Sequence, residues 1–457
     1  MESLTLVPGL VAAVLATMRS PAAAFLNVYL PVLLLLPDYY YYKIVQGLPQ
    51  LSFAHAAILP IAVVMLARGI RWRWSVADFL VLGFAVCLGF SEYWNAGYKE
   101  AQNLMFDLAT SLVLPYAVTK ALVEPLGLRA AFARRLAWML FLVSVISLFE
   151  FRLGRNPFRM LLDPFFPGQA PGWVTTIRWG FGRIGGPYGH AILAGIMLLA
   201  GWRIARWLER SGQWEAKGVW NRLPLPRGTV ISLGLLGGLL MTMSRGPWIG
   251  AILATALGAI GRVASRKRAL LVLGAGILLL GIPTGIALYR YSAVGRAAAK
   301  TPAQETAAYR KELIDKYIAI ALKHSAWGWG RNTWPKVGGM PSIDNYYLLL
   351  TLMYGLPSVA FFLSLEVAMP IRLIADALRR PSALPRGSSL PITLAGIYLG
   401  IAFALATVYM GTQVIPLFAM LTGWSEGYLL TQKSIVAAPR KQRTAVVATP
   451  AFRRVLA

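Results

Sequence analysis

The run ALLVLGAGILLLGIPTGIALYR, residues 269–290, contains a single charged residue, the arginine at its end. An α-helix needs about 20 predominantly apolar residues to cross the hydrocarbon core of a bilayer, and this run has that length. Three basic residues, Arg266, Lys267 and Arg268, stand directly before it. An apolar run with basic residues at one end is typical of a transmembrane helix whose basic end lies in the cytoplasm.

Apolar runs of this kind recur along the whole chain. Of its 457 residues, 57% are hydrophobic and 14% are charged, and the mean hydropathy is +0.58. Soluble domains carry about 25% charged residues, and backbone groups in lipid must pair within the chain, which favours helices. We therefore predict an all-α integral membrane protein with about 12 transmembrane helices, at residues 21–37, 51–67, 76–93, 103–122, 135–152, 188–207, 228–243, 246–262, 269–290, 346–374, 391–412 and 414–432.

The basic residues divide the predicted loops into two faces. Most Lys and Arg residues fall in alternate loops and in the tail, which places both termini in the cytoplasm. We predict an N-terminal interfacial segment at 1–20, a membrane domain at 21–432 with a large outer loop at 291–345 between spans 9 and 10, and a basic cytoplasmic tail at 433–457. The net charge of +27 is thus dispersed between spans, which excludes a nucleic-acid partner and leaves the lipid bilayer as one.

Several arginines on the opposite, outer face do not follow this rule. Arg183 lies in GRIGGPYGHAILAG, residues 182–195, and Arg245 lies in SRGPWIGAIL, residues 244–253. Arg183 is either a phosphate-binding residue beside flexible glycines or an arginine that extends to the lipid headgroups. Arg245 sits almost without a loop between two apolar runs, where a charge is costly and usually faces a cavity. A cationic outer cavity suits an anionic lipid-borne substrate, particularly a diphosphate.

A polar pair, Asp344 and Asn345, precedes the apolar run that starts at residue 346. Taken alone, such a pair is an ordinary helix N-cap, and we expect Asp344 to cap the span whether or not it has a second role. His190 is predicted to be a satisfied core histidine, and Asp107 and Glu366 are predicted to be buried structural groups. Four acids near the outer ends of spans lack a comparable setting: Glu92, Glu100, Glu305 and Asp315.

Four segments together resemble the bacterial O-antigen polymerase and ligase superfamily. They are SRGPWIGAIL; GRIGGPYGHAILAG; YRKELIDKYIAIALKHSAWGWGRNTW, residues 309–334, which is similar to the Arg-led outer-loop helix and GWG element of that family; and the spacing from Asp344 to Gly355 and Ser358. The resemblance covers roughly residues 180–360. In the ligase branch a His stands where this chain has Asp344, whereas polymerases commonly have an acidic residue in a comparable place.

The resemblance implies a C-type glycosyltransferase fold and metal-independent, inverting glycosyl transfer without a cofactor. In that scheme Asp344 is the catalytic base, Arg183, Arg245 and Arg310 hold the diphosphate, and Asn345, His190 and Arg331 support the site. An undecaprenyl-diphosphate-linked oligosaccharide would be joined to an acceptor sugar at the periplasmic face of the inner membrane. A chain-length regulator or a flippase is a possible partner.

Two other functions remain open at this stage. The first is an O-antigen ligase that transfers finished polymer to lipid A-core, and Asp344 favours the polymerase over it. The second is a lipid-linked oligosaccharide flippase or sugar exporter, which would need polar sites near the bilayer midplane and internal symmetry.

Overall fold

The chain folds as a bundle of helices. The computed structural model describes residues 2–43, 49–70, 72–169, 174–214, 225–260, 263, 265–340, 342–379 and 389–437. The first helices are α1 Val7–Met18, α2 Pro21–Ala24, α3 Leu30–Leu35, α4 Phe53–Ala67, α5 Val76–Ala96, α6 Tyr98–Leu108, α7 Leu114–Leu122, α8 Arg129–Leu153 and α9 Pro157–Leu162. The others are α10 Ala191–Arg210, α11 Arg227–Met241, α12 Arg245–Ile260, α13 Arg266–Ser292, α14 Pro302–Lys323, α15 Tyr346–Arg379, α16 Leu390–Leu405 and α17 Val414–Ala437.

Each predicted span coincides with a helix or with helical pieces. Five helices are long and apolar enough to cross a membrane, α5, α8, α10, α13 and α15, and six shorter apolar helical segments accompany them in the described ranges. Single π-helical turns, Phe25–Tyr29 and Ala109–Val113, join α2 to α3 and α6 to α7. The multi-pass helical class is confirmed, and the count of twelve spans stays a prediction. Parts of the predicted basic face, including Arg71 and the tail after residue 437, lie outside the described residues.

Contacts between helix ends agree with the sorting of loops into two faces. On the predicted outer face, Gln413 Nε2 donates to the backbone oxygens of Leu33 and Leu36 at 3.0 and 2.8 Å. On the predicted cytoplasmic face, Arg266 Nη1 donates to Ala377 O at 2.6 Å. Segments whose ends were predicted to lie on the same face therefore contact each other across the bundle.

Two short antiparallel strand pairs belong to the predicted outer face. The strands β1 Tyr41–Tyr42 and β2 Leu51–Ser52 form the first pair, and β3 Ile177–Arg178 and β4 Phe181–Gly182 form the second. The second pair is a tight hairpin whose turn contains Trp179 in the left-handed region, at φ 51°. It carries two of the outer-face arginines into the bundle.

Helix α13, which contains the apolar run 269–290, is separated from the bundle along most of its length. No part of its most apolar 18-residue window is buried, and Leu279 and Leu280 are 74% and 73% exposed. Its ends are attached through Arg266 and through the following helix α14. Because lipid satisfies an apolar surface as well as protein does, α13 can leave an open lateral space between itself and the other helices.

The predicted span 346–374 is not one continuous helix. Gly355 has φ 80° and ψ 176°, which divides α15 into a first arm, residues 346–354, and a second arm, residues 356–379. Tyr347 of the first arm donates to Glu366 Oε2 at 2.8 Å, although 19 residues of straight helix would extend about 28 Å. The two arms therefore fold against each other, and the second arm alone is long enough to span.

The reversal of α15 is held by the loop after α14. The backbone N–H groups of Trp329 and Gly330 donate to Leu352 O and Met353 O at 2.9 Å each, and Leu356 N donates to Ser325 O at 2.7 Å. The Ser91 hydroxyl of α5 donates to Trp327 O. The GWG element thus fixes the loop after α14 onto α5 and onto the bend at Gly355.

Substituting Gly355 with alanine is expected to destabilise the protein by about 3 kcal/mol, because a Cβ combines left-handed strain with overpacking. A Cβ at Gly355 would lie 2.4 Å from Ala326 O. Thermal unfolding of the purified protein in detergent measures the change. Gly338→Ala is the matched control, since a Cβ there meets nothing within 4 Å; equal melting temperatures for the two variants would contradict this account of the bend.

Candidate functional site

The β3–β4 hairpin docks on the turn between α11 and α12. Arg178 Nη1 donates to Met243 O at 2.6 Å, and Ile184 N donates to Met241 O at 3.3 Å. Met243 has φ 47°, which is uncommon for a residue other than glycine. Strained backbone of this kind persists only where its surroundings hold it, and it often marks a functional position. Here it stands two residues before Arg245.

Arg183 braces the same turn. Its Nε donates to Thr242 O at 3.2 Å, and its Nη2 donates to Ser244 Oγ at 3.0 Å. Burial lowers the pKa of the Arg183 guanidinium to about 10, and the Arg178 cation contributes to the shift. Arg183 is therefore not an arginine that extends freely to headgroups; it is a partly desolvated cation beside another cation.

Arg245 and Arg310 complete an arginine cluster, which we define as Arg178, Arg183, Arg245 and Arg310. Burial lowers the pKa of Arg178, and the Arg245 cation lowers it further. Arg245 is exposed at the start of α12, and it makes no side-chain hydrogen bond or ion pair within the described part of the chain. Arg310 enters from α14, and its buried Nε lacks a hydrogen-bond partner. Like charges held this close favour a bound anion.

Asp344 faces this cluster. Burial lowers the pKa of Arg310, the Asp344 carboxylate opposes that shift, and Arg245 adds to it, so the three groups lie within electrostatic reach. Partial burial raises the pKa of Tyr409, and Asp344 raises it further. The Asp344 carboxylate accepts a hydrogen bond from Ser342 Oγ at 3.0 Å. A half-buried carboxylate thus stands beside free and buried cations at one position.

Asn345, and not Asp344, caps the first arm of α15. Asn345 Oδ1 accepts a hydrogen bond from Leu348 N at 3.1 Å. The expectation that Asp344 is also the helix cap is therefore wrong, because its neighbour makes the capping bond. Because Asn345 makes the capping bond, the Asp344 carboxylate is available to a ligand.

The two remaining supporting residues lie in different places. His190 is the N-cap of α10, where its Nδ1 accepts from Ile192 N at 3.2 Å, and its ring lies 6.3 Å from that of Tyr409. His190 is thus a satisfied histidine at the edge of the arginine cluster. Arg331 instead lies 3.6 Å from carboxylate oxygens of both Glu100 and Asp107. Arg331 is therefore paired with carboxylates and not with the arginine cluster, and its supporting role in the site stays a prediction.

The two acids that were predicted to be buried also differ. Glu366 is 5% exposed, as expected, and it accepts from Tyr347. The side chain of Asp107 is 41% exposed and faces Arg331. The apolar residues around an acid in the sequence therefore do not show whether that acid is buried or lies on an exposed face of its helix.

Glu150, on α8, positions the glycine-rich segment that follows Arg183. It is fully buried, and its Oε2 accepts from Gly185 N and Gly186 N at 3.1 and 2.9 Å. Its Oε1 accepts from Thr175 Oγ1 at 2.7 Å and from Asn156 Nδ2 at 3.3 Å. A carboxylate with this many donors fixes the loop on both sides of Arg183.

Replacing Glu150 with alanine is expected to destabilise the protein by at least about 3 kcal/mol, because buried donors left without a partner cost about 1–3 kcal/mol each. Glu150→Gln should cost less, since its amide oxygen still accepts from the glycine N–H groups. Thermal unfolding in detergent measures both variants, with the exposed Glu305→Ala as control. If Glu150→Ala melts like that control, the carboxylate does not hold the loop.

Three further residues belong to the site, although the sequence did not single them out: Arg178, Tyr409 and Glu150. Arg178 stands five residues before Arg183 in the same unusually basic outer loop, so its charge was a usable signal. Tyr409 and Glu150 gave no such signal, because a tyrosine or an acid at the end of an apolar run is ordinary in a membrane protein. Only packing brings them to the arginines.

These features define the class of the protein: a multi-pass helical membrane protein with an arginine-lined site beside a carboxylate. Residues 230–363 match the model of a family described as O-antigen ligase, which confirms the resemblance to the O-antigen polymerase and ligase superfamily. The match covers well under half of the 457-residue chain. It contains Arg245, Arg310 and Asp344, whereas Arg183 and Arg178 lie before it.

Other comparisons add little. None of the curated proteins matches this sequence. One solved chain, from a structure described as "Structural coordination of polymerization and crosslinking by a peptidoglycan synthase complex", is similar at 18% identity and a TM-score of 0.40, over 80% of this chain and 99% of that one. At these values the likeness establishes neither fold nor function.

Proposed function

We propose that this protein is a membrane glycosyltransferase that joins a glycan carried on undecaprenyl diphosphate to a sugar hydroxyl of an acceptor glycan. The proposal rests on one observation: four arginines, Arg178, Arg183, Arg245 and Arg310, form a cluster beside Asp344. Arg245, Arg310 and Asp344 lie in the segment that matches the O-antigen ligase family. Fixed cations beside a carboxylate provide what glycosyl transfer from a lipid diphosphate requires.

The chemistry can be assigned to these groups. The acceptor hydroxyl attacks the anomeric carbon and forms the new C–O bond, while the bond from that carbon to the diphosphate oxygen breaks and its electron pair leaves with the diphosphate. Asp344 accepts the hydroxyl proton. The arginine cluster stabilises the negative charge that develops on the leaving oxygen. One base without a second nucleophilic carboxylate corresponds to inversion at the anomeric carbon.

The depth of the site supports a lipid-borne substrate. Helices α11, α12 and α16 have 15, 16 and 16 residues, so each is about 22–24 Å long, less than the ~30 Å hydrocarbon layer. The start of α12, with Arg245, therefore lies near the outer boundary of the hydrocarbon or within it. The separated helix α13 leaves an apolar side from which a polyprenyl chain can approach. A diphosphate at the cluster could thus keep its lipid tail in the membrane.

We prefer polymerisation to ligation, because Asp344 stands where the ligase branch has His. The alternative ligase function uses the same lipid-linked donor and the same cations. A flippase or exporter instead needs a polar site that opens to both faces, whereas the arginine cluster is built from loops and helix ends of the predicted outer face only.

Mass analysis of lipid-linked glycans in a deletion strain separates these functions. Loss of a polymerase is expected to leave single lipid-linked repeat units, and loss of a ligase leaves free lipid-linked polymer. Accumulation of repeat units that remain at the cytoplasmic face would support the flippase instead. Normal glycans in the deletion strain would contradict all three functions.

A further inference from the structure

A second polar cluster lies beside the arginine cluster and has the opposite charge. Arg331 N donates to Glu92 Oε2 at 2.9 Å, and the Arg331 guanidinium lies 3.6 Å from carboxylate oxygens of both Glu100 and Asp107. Asp107 is also within electrostatic reach of two further groups, Asp38 and His55. We call these six residues the acidic cluster: Asp38, His55, Glu92, Glu100, Asp107 and Arg331.

The acidic cluster has a buried floor with unused hydrogen-bonding capacity. Asp38 is 8% exposed and Glu92 is fully buried, yet Asp38 Oδ1 and Glu92 Oε1 have no hydrogen-bond partner. Glu92 Oε1 meets Arg331 only at 4.0 Å. Buried polar atoms in native proteins are nearly always paired, so two unpaired carboxylate oxygens in one cluster indicate a missing donor.

Other members of the cluster are open to a ligand. The side chains of Glu100 and Asp107 are 40% and 41% exposed, against 1% for Glu92. The cluster is therefore exposed at Glu100 and Asp107, on one face of α6, and buried at Asp38 and Glu92. His55 closes one side, where its Nε2 lies 3.0 Å from Ser111 Oγ.

The acidic cluster is connected to the arginine cluster on two sides. Asp38 precedes Tyr39, whose ring lies 3.6 Å from the position of a Cβ on Gly189. Gly189 precedes His190, whose ring is within electrostatic reach of Arg183. On the other side, the first arm of α15 begins two residues after Asp344 and ends at Tyr354, a helical path of about 12 Å from residue 346. Tyr354 is within electrostatic reach of Glu92 and Arg331, so Asp344 and the acidic cluster lie at opposite ends of this arm.

The charges of the two clusters select different chemical groups. Glu92, Glu100 and Asp107 would repel a diphosphate, which the arginines attract. Carboxylates accept hydrogen bonds from vicinal hydroxyl groups, and each can accept several. No group of three or more His, Cys, Asp or Glu side chains in the described ranges is arranged to hold a metal ion, so donors spread along a chain of sugars match this spacing better.

We propose that the acidic cluster is the subsite for the uncharged saccharide end of the acceptor glycan, whose sugar hydroxyls donate hydrogen bonds to Asp38, Glu92, Glu100 and Asp107. This inference rests on the proposed glycosyl transfer. It divides the site into a cationic half for the diphosphate of the donor, beside Asp344, and an acidic half for the acceptor.

Binding of two separate probes to the purified full-length protein tests the assignment. One probe is the saccharide that mild acid releases from the lipid-linked glycan of a deletion strain, and the other is farnesyl diphosphate. In Asp107→Asn and in Glu100→Gln, both partly exposed, the Kd for the saccharide should rise about tenfold or more, because hydrogen bonds to a charged group are lost. The Kd for farnesyl diphosphate should stay the same or fall. Asp315→Asn, in the surface pair with Lys311, is the control.

The outcomes separate this inference from the proposed function. If the saccharide does not bind the wild-type protein, or binds Asp107→Asn and Glu100→Gln with unchanged Kd while their melting temperatures are normal, the acidic cluster is not the acceptor subsite. If Arg245→Ala leaves the Kd for farnesyl diphosphate unchanged, the proposed function itself is contradicted. A tenfold loss of saccharide binding in Arg245→Ala would also reject the division into two halves.

Discussion

Replacing Asp344 with asparagine is expected to lower the rate of glycosyl transfer by about a hundred- to ten-thousand-fold, the contribution of a positioned general base. Asparagine keeps the shape and can still accept a hydrogen bond from Ser342 Oγ, but it cannot take the proton of the acceptor hydroxyl. Asn345 makes the helix cap, so the fold should survive. Polymer length in a complemented deletion strain, and turnover of the purified protein, measure the loss.

A histidine at the same position tests the role of the base more sharply. Imidazole also accepts a proton, so Asp344→His should keep part of the activity at high pH. Its activity should fall as the pH drops through about 6.5, the ordinary pKa of histidine, because the protonated ring no longer acts as a base. Asp315→Asn serves as the control for loss of a surface carboxylate. Full polymer from Asp344→Asn at normal expression would remove Asp344 from the mechanism.

Replacing Arg245 with alanine is expected to reduce kcat by about 10²–10³-fold, the usual effect of removing one charge-stabilising donor. Arg245 is exposed and makes no side-chain hydrogen bond or ion pair with the described residues, so its guanidinium is free for the diphosphate. Because that guanidinium supports no other described side chain, its removal should leave the melting temperature nearly unchanged. Single-turnover assays with a lipid diphosphate donor measure this effect apart from folding.

A lysine at position 245 separates charge from geometry. Lys keeps the charge but lacks the planar fork that pairs with two phosphate oxygens, so Arg245→Lys should recover only part of the lost rate. Arg155→Ala is the matched control, since Arg155 is an exposed arginine of the outer loop that leads to the β3–β4 hairpin. Equal activity of Arg155→Ala and Arg245→Ala would show that the latter holds no diphosphate.

Much of the candidate site follows from local signals. Arg245 stands out because it lies between two apolar runs, and Arg183 because glycines surround it. Asp344 stands out because a polar pair precedes a long apolar run. Each of these residues differs in polarity or size from the residues around it in the chain. Such a difference can be recognised from one sequence alone.

The contacts that the sequence did not reveal have a common physical origin. Arg331 was grouped with the other outer arginines because charge and loop were the only available criteria, yet its partners Glu100 and Asp107 come from a helix more than 200 positions away. Asp344 was expected to cap its helix, but the identity of the capping residue depends on where the chain turns. Long-range pairing and backbone turns are tertiary properties.

The apolar runs were sufficient to predict a helical membrane protein and the positions of nearly all its helices, because lipid demands apolar length and internal backbone pairing from each segment separately. Local sequence also singled out Arg183, Arg245 and Asp344. Three features became visible only in the folded chain: the reversal of α15 at Gly355, the contacts by which Glu150 holds the loop beside Arg183, and the grouping of polar side chains into an arginine cluster and an acidic cluster. Those features arise from contacts between segments distant in the chain, and apolar periodicity carries no information about which segments meet.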